Sequence, residues 1–189
     1  MPPRVKITKE DVAAAAVELL RQEGAQALNA RRVAAALGCS TQPVFSNFAT
    51  MDKLREAVIQ EAWDRYQAAL AREVARGEYP PFKASGMAYI RFAREERELF
   101  RLLFMRDRSG EPTGENAAID EQVEAMIRES TGLSPEEARL FHLESWAFVH
   151  GIAAMFATGF LALDEALISR MLTDVYQGLR ARFLKEDKR

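Results

Sequence analysis

Apolar residues recur at steps of three and four along most of the chain, and no strand-like alternation lasts long enough to count. That spacing gathers apolar groups on one side of a helix, so the expected fold class is all-α, with about nine helices. Val12, Ala16, Leu19 and Leu20 form the first row, and Gly24 ends it. A shorter helix is expected from about Ala30 to Leu37, with Asn29 as its cap and Val33, Ala36 and Leu37 facing inward. Gly38 permits a left-handed turn, and Ser40 is expected to cap a third helix ending near Phe48. Pro43 falls in its first turn, where a missing N–H does no harm. Thr50 caps a long fourth helix whose inward row is Leu54, Val58, Ala62, Tyr66, Leu70 and Val74. After a break at Gly77 to Pro81, helices are expected at 82–94, 96–106, 115–130, 135–158 and 164–185. Ser134-Pro-Glu-Glu supplies a cap, a proline at the first position and acids at the positive end of the dipole. The turn-rich stretch Asp107-Arg-Ser-Gly-Glu-Pro-Thr-Gly is expected to be mobile.

Composition narrows the functions open to such a bundle. Apolar residues are 48% and charged residues 29%, so the 189 residues can fill a core and disorder is expected only at 1–6 and 185–189. Net charge is −2 overall, but residues 1–48 carry six Lys/Arg against four Asp/Glu, leaving −4 for the rest. A weakly basic head on an acidic body suits nucleic-acid binding without requiring it. Cys39 is the one cysteine, which excludes an internal disulfide and a cysteine-based zinc site. His142 and His150 lack carboxylates at ligand spacing, so no metal is expected. Neither a Ser/His/Asp set, a Cys/His pair nor a phosphate-cradling glycine loop is present, so the chain is not expected to be an enzyme or to use a cofactor. MPPRVKITKED has no apolar core for a secretory signal. Trp146 to Leu163 has nearly the length of a membrane span, but Gly151, Gly159 and His150 interrupt it and Glu144 and Asp164 bound it. A buried helix, no membrane partner and a cytoplasmic location are expected.

The stretch Asn29-Ala-Arg-Arg-Val-Ala-Ala-Ala-Leu-Gly-Cys-Ser-Thr-Gln-Pro-Val-Phe-Ser-Asn-Phe has the parts of a helix-turn-helix. Ala34 and Ala35 permit close approach of a partner helix, and Val33, Leu37, Val44 and Phe48 supply a shared core. Thr41, Gln42, Ser46 and Asn47 face outward and are short and polar, suited to base edges and phosphates. In register, Leu19, Leu20, Gly24, Leu28, Arg31, Val33, Ala34, Leu37, Gly38, Ser40, Phe45, Phe48, Asp52 and Leu54 resemble the DNA-binding domain of the tetracycline-repressor (TetR) family across residues 7 to 63. The resemblance implies domains at 1–50 (helix-turn-helix), 51–80 (connecting helix) and 81–189 (effector binding and dimerisation).

Departures from the family pattern bear on affinity. Phe45 stands where members usually carry a tyrosine whose hydroxyl reaches a phosphate, and Asn47 where they often carry histidine. Met51 replaces a lysine, with Lys53 displaced by two. The recognition helix carries no basic residue, so phosphate anchoring is expected from Arg4, Lys6, Lys9, Arg31, Arg32 and Lys53, alongside contacts from Ser40, Thr41, Gln42, Pro43, Phe45, Ser46 and Asn47. The rings of Phe45 and Phe48 are expected in the core.

Tyr89-Ile-Arg-Phe-Ala-Arg-Glu-Glu-Arg-Glu-Leu-Phe-Arg-Leu-Leu-Phe, followed by Trp146-Ala-Phe-Val-His150-Gly151, resembles the TetR-like C-terminal domains named for a Trp-His-Gly motif. The resemblance implies a small-molecule effector and a homodimer formed by the last two long helices. Spacing agrees: Ala147, Gly151, Ala154 and Thr158 share one face, and Ile168, Met171, Val175, Leu179 and Phe183 form a row on the last helix. Trp63, Tyr66, Tyr89, Phe92, Phe104, Met126, His142, Trp146 and His150 are candidate effector contacts, with plain core as the alternative for each. His150 is expected to be buried and bonded to a backbone carbonyl. The expected function is a repressor that binds a near-palindromic double-stranded operator as a homodimer and is released by an effector; the alternative is a small all-α ligand-binding protein or enzyme without DNA binding.

Overall fold

A computed structural model describes residues 7–107 and 117–186. Among these the architecture is all-α, with no strand. The helices are α1 (Lys9–Glu23), α2 (Ala30–Ala36), α3 (Gln42–Asn47), α4 (Met51–Arg76), α5 (Pro81–Glu95), α6 (Arg97–Phe104), α7 (Ala117–Thr131), α8 (Pro135–Thr158) and α9 (Glu165–Glu186). A short 3-10 turn, Ala25–Ala27, lies between α1 and α2. Arg4 and Lys6, the two ends expected to be disordered and the expected mobile stretch after Asp107 lie outside the described residues, apart from Lys185 and Glu186, which close α9.

Local chemistry explains where the helices start and stop. Thr8 opens α1 through a capping box: its hydroxyl accepts from the Asp11 N–H at 3.1 Å, and Asp11 accepts from the Thr8 N–H at 2.8 Å. Asn29 caps α2 by accepting from the Arg32 N–H at 3.1 Å. Thr50 does the same for α4 through the Lys53 N–H at 3.2 Å. Ser134 and Glu137 form a second capping box at α8, with Pro135 at the first helical position. Gly38 takes φ +63° in the turn between α2 and α3, a region closed to most side chains. Ser40 is not the cap of α3. That place belongs to Thr41, whose backbone is already helical and whose side chain makes no capping bond.

The chain divides into two compact units. The first comprises residues up to Gln67 together with Glu96–Arg106, and the second Ala68–Glu95 with Asp107 onward. In the first, α1 packs on α2, α3 and α6. Its core includes Val12, Ala16, Val17, Leu20, Val33, Val44, Phe48, Leu54 and Leu99. On α2 the inward residues are Ala30, Val33 and Ala34, with Leu37 half-buried; Ala36, expected inside, is exposed. Ala34 takes its place because the helix has only about two turns, and the row follows steps of four and three from Ala30. Arg21 forks onto Glu96, with Nε and one terminal nitrogen 2.6 and 2.8 Å from its two oxygens, and so joins α1 to the start of α6.

In the second unit α8 packs against α5, α7 and α9. Phe141 is fully buried among Val123, Ile127, Leu133, Ala138 and Phe183, with Phe82 and Tyr176 packed against them. Gly86 lets α5 approach closely: a methyl group there would meet Leu172 at 3.3 Å and Val149 at 3.5 Å. By length and composition α8 could cross a membrane. Its inner face is occupied instead by neighbouring helices, and its Glu144 pairs with Arg182 of α9 at 3.0 Å.

Candidate functional site

Two places in the molecule combine exposure with chemistry, one in each unit. In the first, the Gly38 turn carries the chain from α2 into α3, a helix that buries only Val44 fully. The rest of α3 faces water or lies at its margin: Gln42, Phe45 and Ser46 are exposed, Pro43 and Asn47 half-buried, with Ser40 exposed and Thr41 half-buried just before it. Phe48 is core, as expected, whereas Phe45 is 49% exposed and is not. The reason is helical geometry. Val44 and Phe48 are four apart and share the inner side, while Phe45 is turned about 100° away from Val44.

Cations around α3 differ in their freedom. Arg31 is exposed and makes no ion pair with a described residue. Arg32 is tied to Glu23, and Lys53 lies 2.7 Å from Glu56 one turn on. Lys9 sits over the Phe48 ring, 5.3 Å from its centroid. Asn47 is not a free reader of bases, because its side-chain N–H group donates to Pro43 O at 2.9 Å and to Ile7 O at 3.3 Å.

The expected effector residues are distributed over the two units. Trp63, Tyr66 and Phe104 meet edge to face in the first unit at centroid distances of 5.3 to 6.0 Å, and Phe100 adjoins Phe104 at 5.0 Å. The Trp63 indole N–H is buried and lacks a hydrogen-bond partner among the described residues. In the second unit the Tyr89 hydroxyl lies 2.9 Å from His150 Nδ1, so one partner of His150 is a phenol, and His150, expected to be buried, is half-buried. Trp146 stacks on the same imidazole, with ring centroids 4.8 Å apart. Desolvation holds His150 below its ordinary value of 6.5, which favours the neutral ring. Phe92 is buried, and Met126 and His142 are half-buried.

Along α8, Ala147 and Thr158 are exposed and Gly151 and Ala154 half-buried. A methyl group on Gly151 would meet no described residue within 4 Å, so packing among the described residues does not require that glycine. Leu140 and Leu143 extend the stripe, Leu143 being 57% exposed, and Phe160 beyond the helix is 82% exposed. On α9, Ile168 is buried within its own chain, Met171 and Val175 are half-buried, and Leu179 packs against the Phe141 cluster.

One buried group carries no signal in the apolar pattern. Glu73 is only 4% exposed, and its Oε2 accepts from Arg76 at 3.1 Å and from Arg91, which also holds Glu165 of α9. A row extended by fours along α4 reaches Val74. Each step of four overshoots a full turn by about 40°, so the row must step back by three, from Leu70 to Glu73. Val74 is only half-buried.

Comparison with known proteins bears on both places. Residues 12–58 match the family described as bacterial regulatory proteins, tetR family. Residues 82–175 match the tetracyclin repressor-like C-terminal domain, a match that contains the Trp146, His150 and Gly151 motif. No curated protein sequence matches the chain. Among solved structures, a TetR-like transcriptional regulator from Rhodococcus sp. RHA1 is similar at 18% identity, with 98% of each chain covered and a TM-score of 0.68. A protein of unknown function from the same organism gives 24% identity, 95% and 96% coverage and a TM-score of 0.73. The multidrug binding protein EbrR, complexed with malachite green, gives 21%, 92% and 98%, and 0.61. At these identities the likeness to the solved structures is one of fold. The two family matches follow one another along the chain, the first over the helix-turn-helix and the second over the helices that carry Tyr89 and His150. This chain therefore belongs to the TetR family, and is a DNA-binding transcriptional regulator.

Proposed function

We propose that the protein is a cytoplasmic repressor that binds a near-palindromic operator as a homodimer and leaves it when a small organic effector binds. The observation that carries this reading is the uncovered, uncharged face of α3, with Arg31 on α2 exposed and in no ion pair with a described residue. Short polar side chains suit base edges, and an unpaired exposed guanidinium suits a phosphate. Of the DNA-contacting set, Ser40, Thr41, Gln42, Ser46, Phe45 and Arg31 are best placed; Arg32 and Lys53 must exchange a carboxylate for a phosphate. Few cations per half-site make a single head a weak binder, so the second copy supplies the affinity.

The stripe Leu140, Leu143, Ala147, Gly151 and Ala154 is the proposed dimer face. A second copy would cover it by a two-fold, self-complementary contact. Ile168 and Leu179 then support that face from inside their own chain rather than touch the partner. The domain limits proposed are 1–50 for DNA, 51–80 for the connection and 81–189 for effector and dimer. For the effector, the likeness to EbrR favours a small organic ligand. An acceptor offered to the Trp63 indole N–H would remove the cost of leaving a buried donor unpaired. A mobility-shift assay against the DNA immediately upstream of its own gene, at two salt concentrations, tests the core of this reading. A sequence-specific shift that weakens with salt is expected; no such shift at low salt would overturn it.

A further inference from the structure

α3 offers few groups with which to tell one base pair from another. Val44 and Phe48 are buried in the core. Asn47 donates its side-chain N–H group to Pro43 O and Ile7 O, so it does not present the free donor and acceptor that together read adenine. The exposed residues of α3 are Gln42, Phe45 and Ser46. Two of these side chains can form hydrogen bonds, and the phenyl ring of Phe45 cannot. Gln42 and Phe45 are three residues apart, which sets them about 60° from one another around the helix, on one continuous edge. A single exposed aromatic residue is ordinary on a protein surface. This one is the largest side chain of α3, is 49% exposed, and stands among polar neighbours on the second helix of a helix-turn-helix.

We propose that Phe45 reads the C5-methyl group of a thymine in the major groove, and so selects one base pair of each half-site by apolar contact alone. The inference rests on the DNA-binding reading above. The second helix of a helix-turn-helix lies in the major groove. Base edges there present hydrogen-bond donors and acceptors, and thymine alone adds an apolar group. A phenyl ring pressed on a phosphate, or on the polar edge of another base, strips away water and forms no hydrogen bond in exchange. Pressed on a thymine methyl, it removes apolar surface from water on both sides of the contact. The ring is therefore a weak anchor and a selective reader. Because it is uncharged, it discriminates between bases without adding to the salt dependence of binding.

The test pairs a change in the DNA with a change in the protein, using the full-length chain and the duplex immediately upstream of its own gene. Each thymine of the bound region is replaced in turn by deoxyuracil, which deletes the methyl group and keeps every hydrogen-bonding atom. Wild-type protein is expected to lose about twofold in affinity at a thymine that the ring touches, and about threefold when the matching thymines of both half-sites are replaced together. Phe45→Ala should bind the natural duplex about threefold more weakly and be indifferent to those same replacements, as two groups in direct contact require. Its salt slope should equal that of wild type. Circular dichroism melts check the fold of the variant. Phe45→Gln, which puts a polar chain in place of the ring, should likewise lose the preference for thymine over uracil. If wild-type protein tolerates uracil at every position, or if both variants stay as sensitive to it as wild type, the ring reads no methyl group and the proposal falls. If wild-type protein gives no sequence-specific shift at low salt, it is the DNA-binding reading itself that fails.

Discussion

Helices α3 and α8 both leave a broad face uncovered, and they leave opposite kinds. α3 shows Gln42, Ser46 and the flat ring of Phe45, with guanidinium groups close by on α2. α8 shows Leu140, Leu143, Ala147 and a glycine with empty space in front of it. Water solvates the first face well and the second poorly, so covering the second yields most of its free energy from apolar burial and covering the first does not. The first suits a charged, hydrated partner that must be released; the second suits a partner that stays. The homodimer proposed above, if it reads DNA reversibly and stays assembled, uses one of each.

The contrast can be broken most decisively at α8. Leu143→Glu would place two carboxylates across a two-fold contact. It should shift sedimentation from dimer to monomer at micromolar concentration and cut specific DNA affinity by about a hundredfold or more. A monomer that kept wild-type affinity would show that α3 needs no partner. Next in size, Arg31→Ala should lower affinity about tenfold and reduce the salt slope by about one per half-site. Arg32→Ala should cost less, because Arg32 already spends its charge on Glu23; equal losses would mean that the pair opens on DNA. Phe45→Ala should weaken binding only about threefold while leaving the melting temperature unchanged, since the exposed ring contributes little to the core. A drop of several degrees would place the ring in the fold after all.

The smallest effect belongs to His150. Its folded-state value lies below 6.5, so the unfolded chain binds the proton more readily. The stability that follows from keeping the ring neutral is present above pH 6.5 and is lost as pH falls through the depressed value. Melts between pH 7.5 and 5 should therefore show a decline that His150→Gln makes shallower. An unchanged profile would remove His150 from the account of acid sensitivity.

Much of the architecture was legible because helix signals are local. Ser134-Pro-Glu-Glu announced the start of α8, and Asn29, Gly38 and Thr50 announced the limits of α2, α3 and α4. What stayed hidden depends on residues far apart in sequence. Nothing near Asn47 indicates that its partner is Ile7, and nothing near His150 indicates Tyr89, 61 residues earlier. Glu73 was hidden for a different reason, since a charged residue is passed over when an apolar one stands beside it. Its burial follows only once Arg91 is known to face it. The small-residue stripe on α8 could be drawn from spacing, but that a methyl group on Gly151 would meet no described residue could not.

The fork between Arg21 and Glu96 has a consequence for how the protein is made. α6 belongs to the same compact unit as the helix-turn-helix, and its Leu99, Phe100 and Leu103 are fully buried. A ribosome delivers the chain from its N-terminus, so α1 to α3 emerge well before the segment that completes their unit. The DNA-reading head cannot close its core until residue 106 has been synthesised, by which time α5 is already present. A chain terminated at the Gly77 to Pro81 break would lack α6 altogether and expose the apolar surface it covers, and would be a substrate for proteases rather than a miniature regulator.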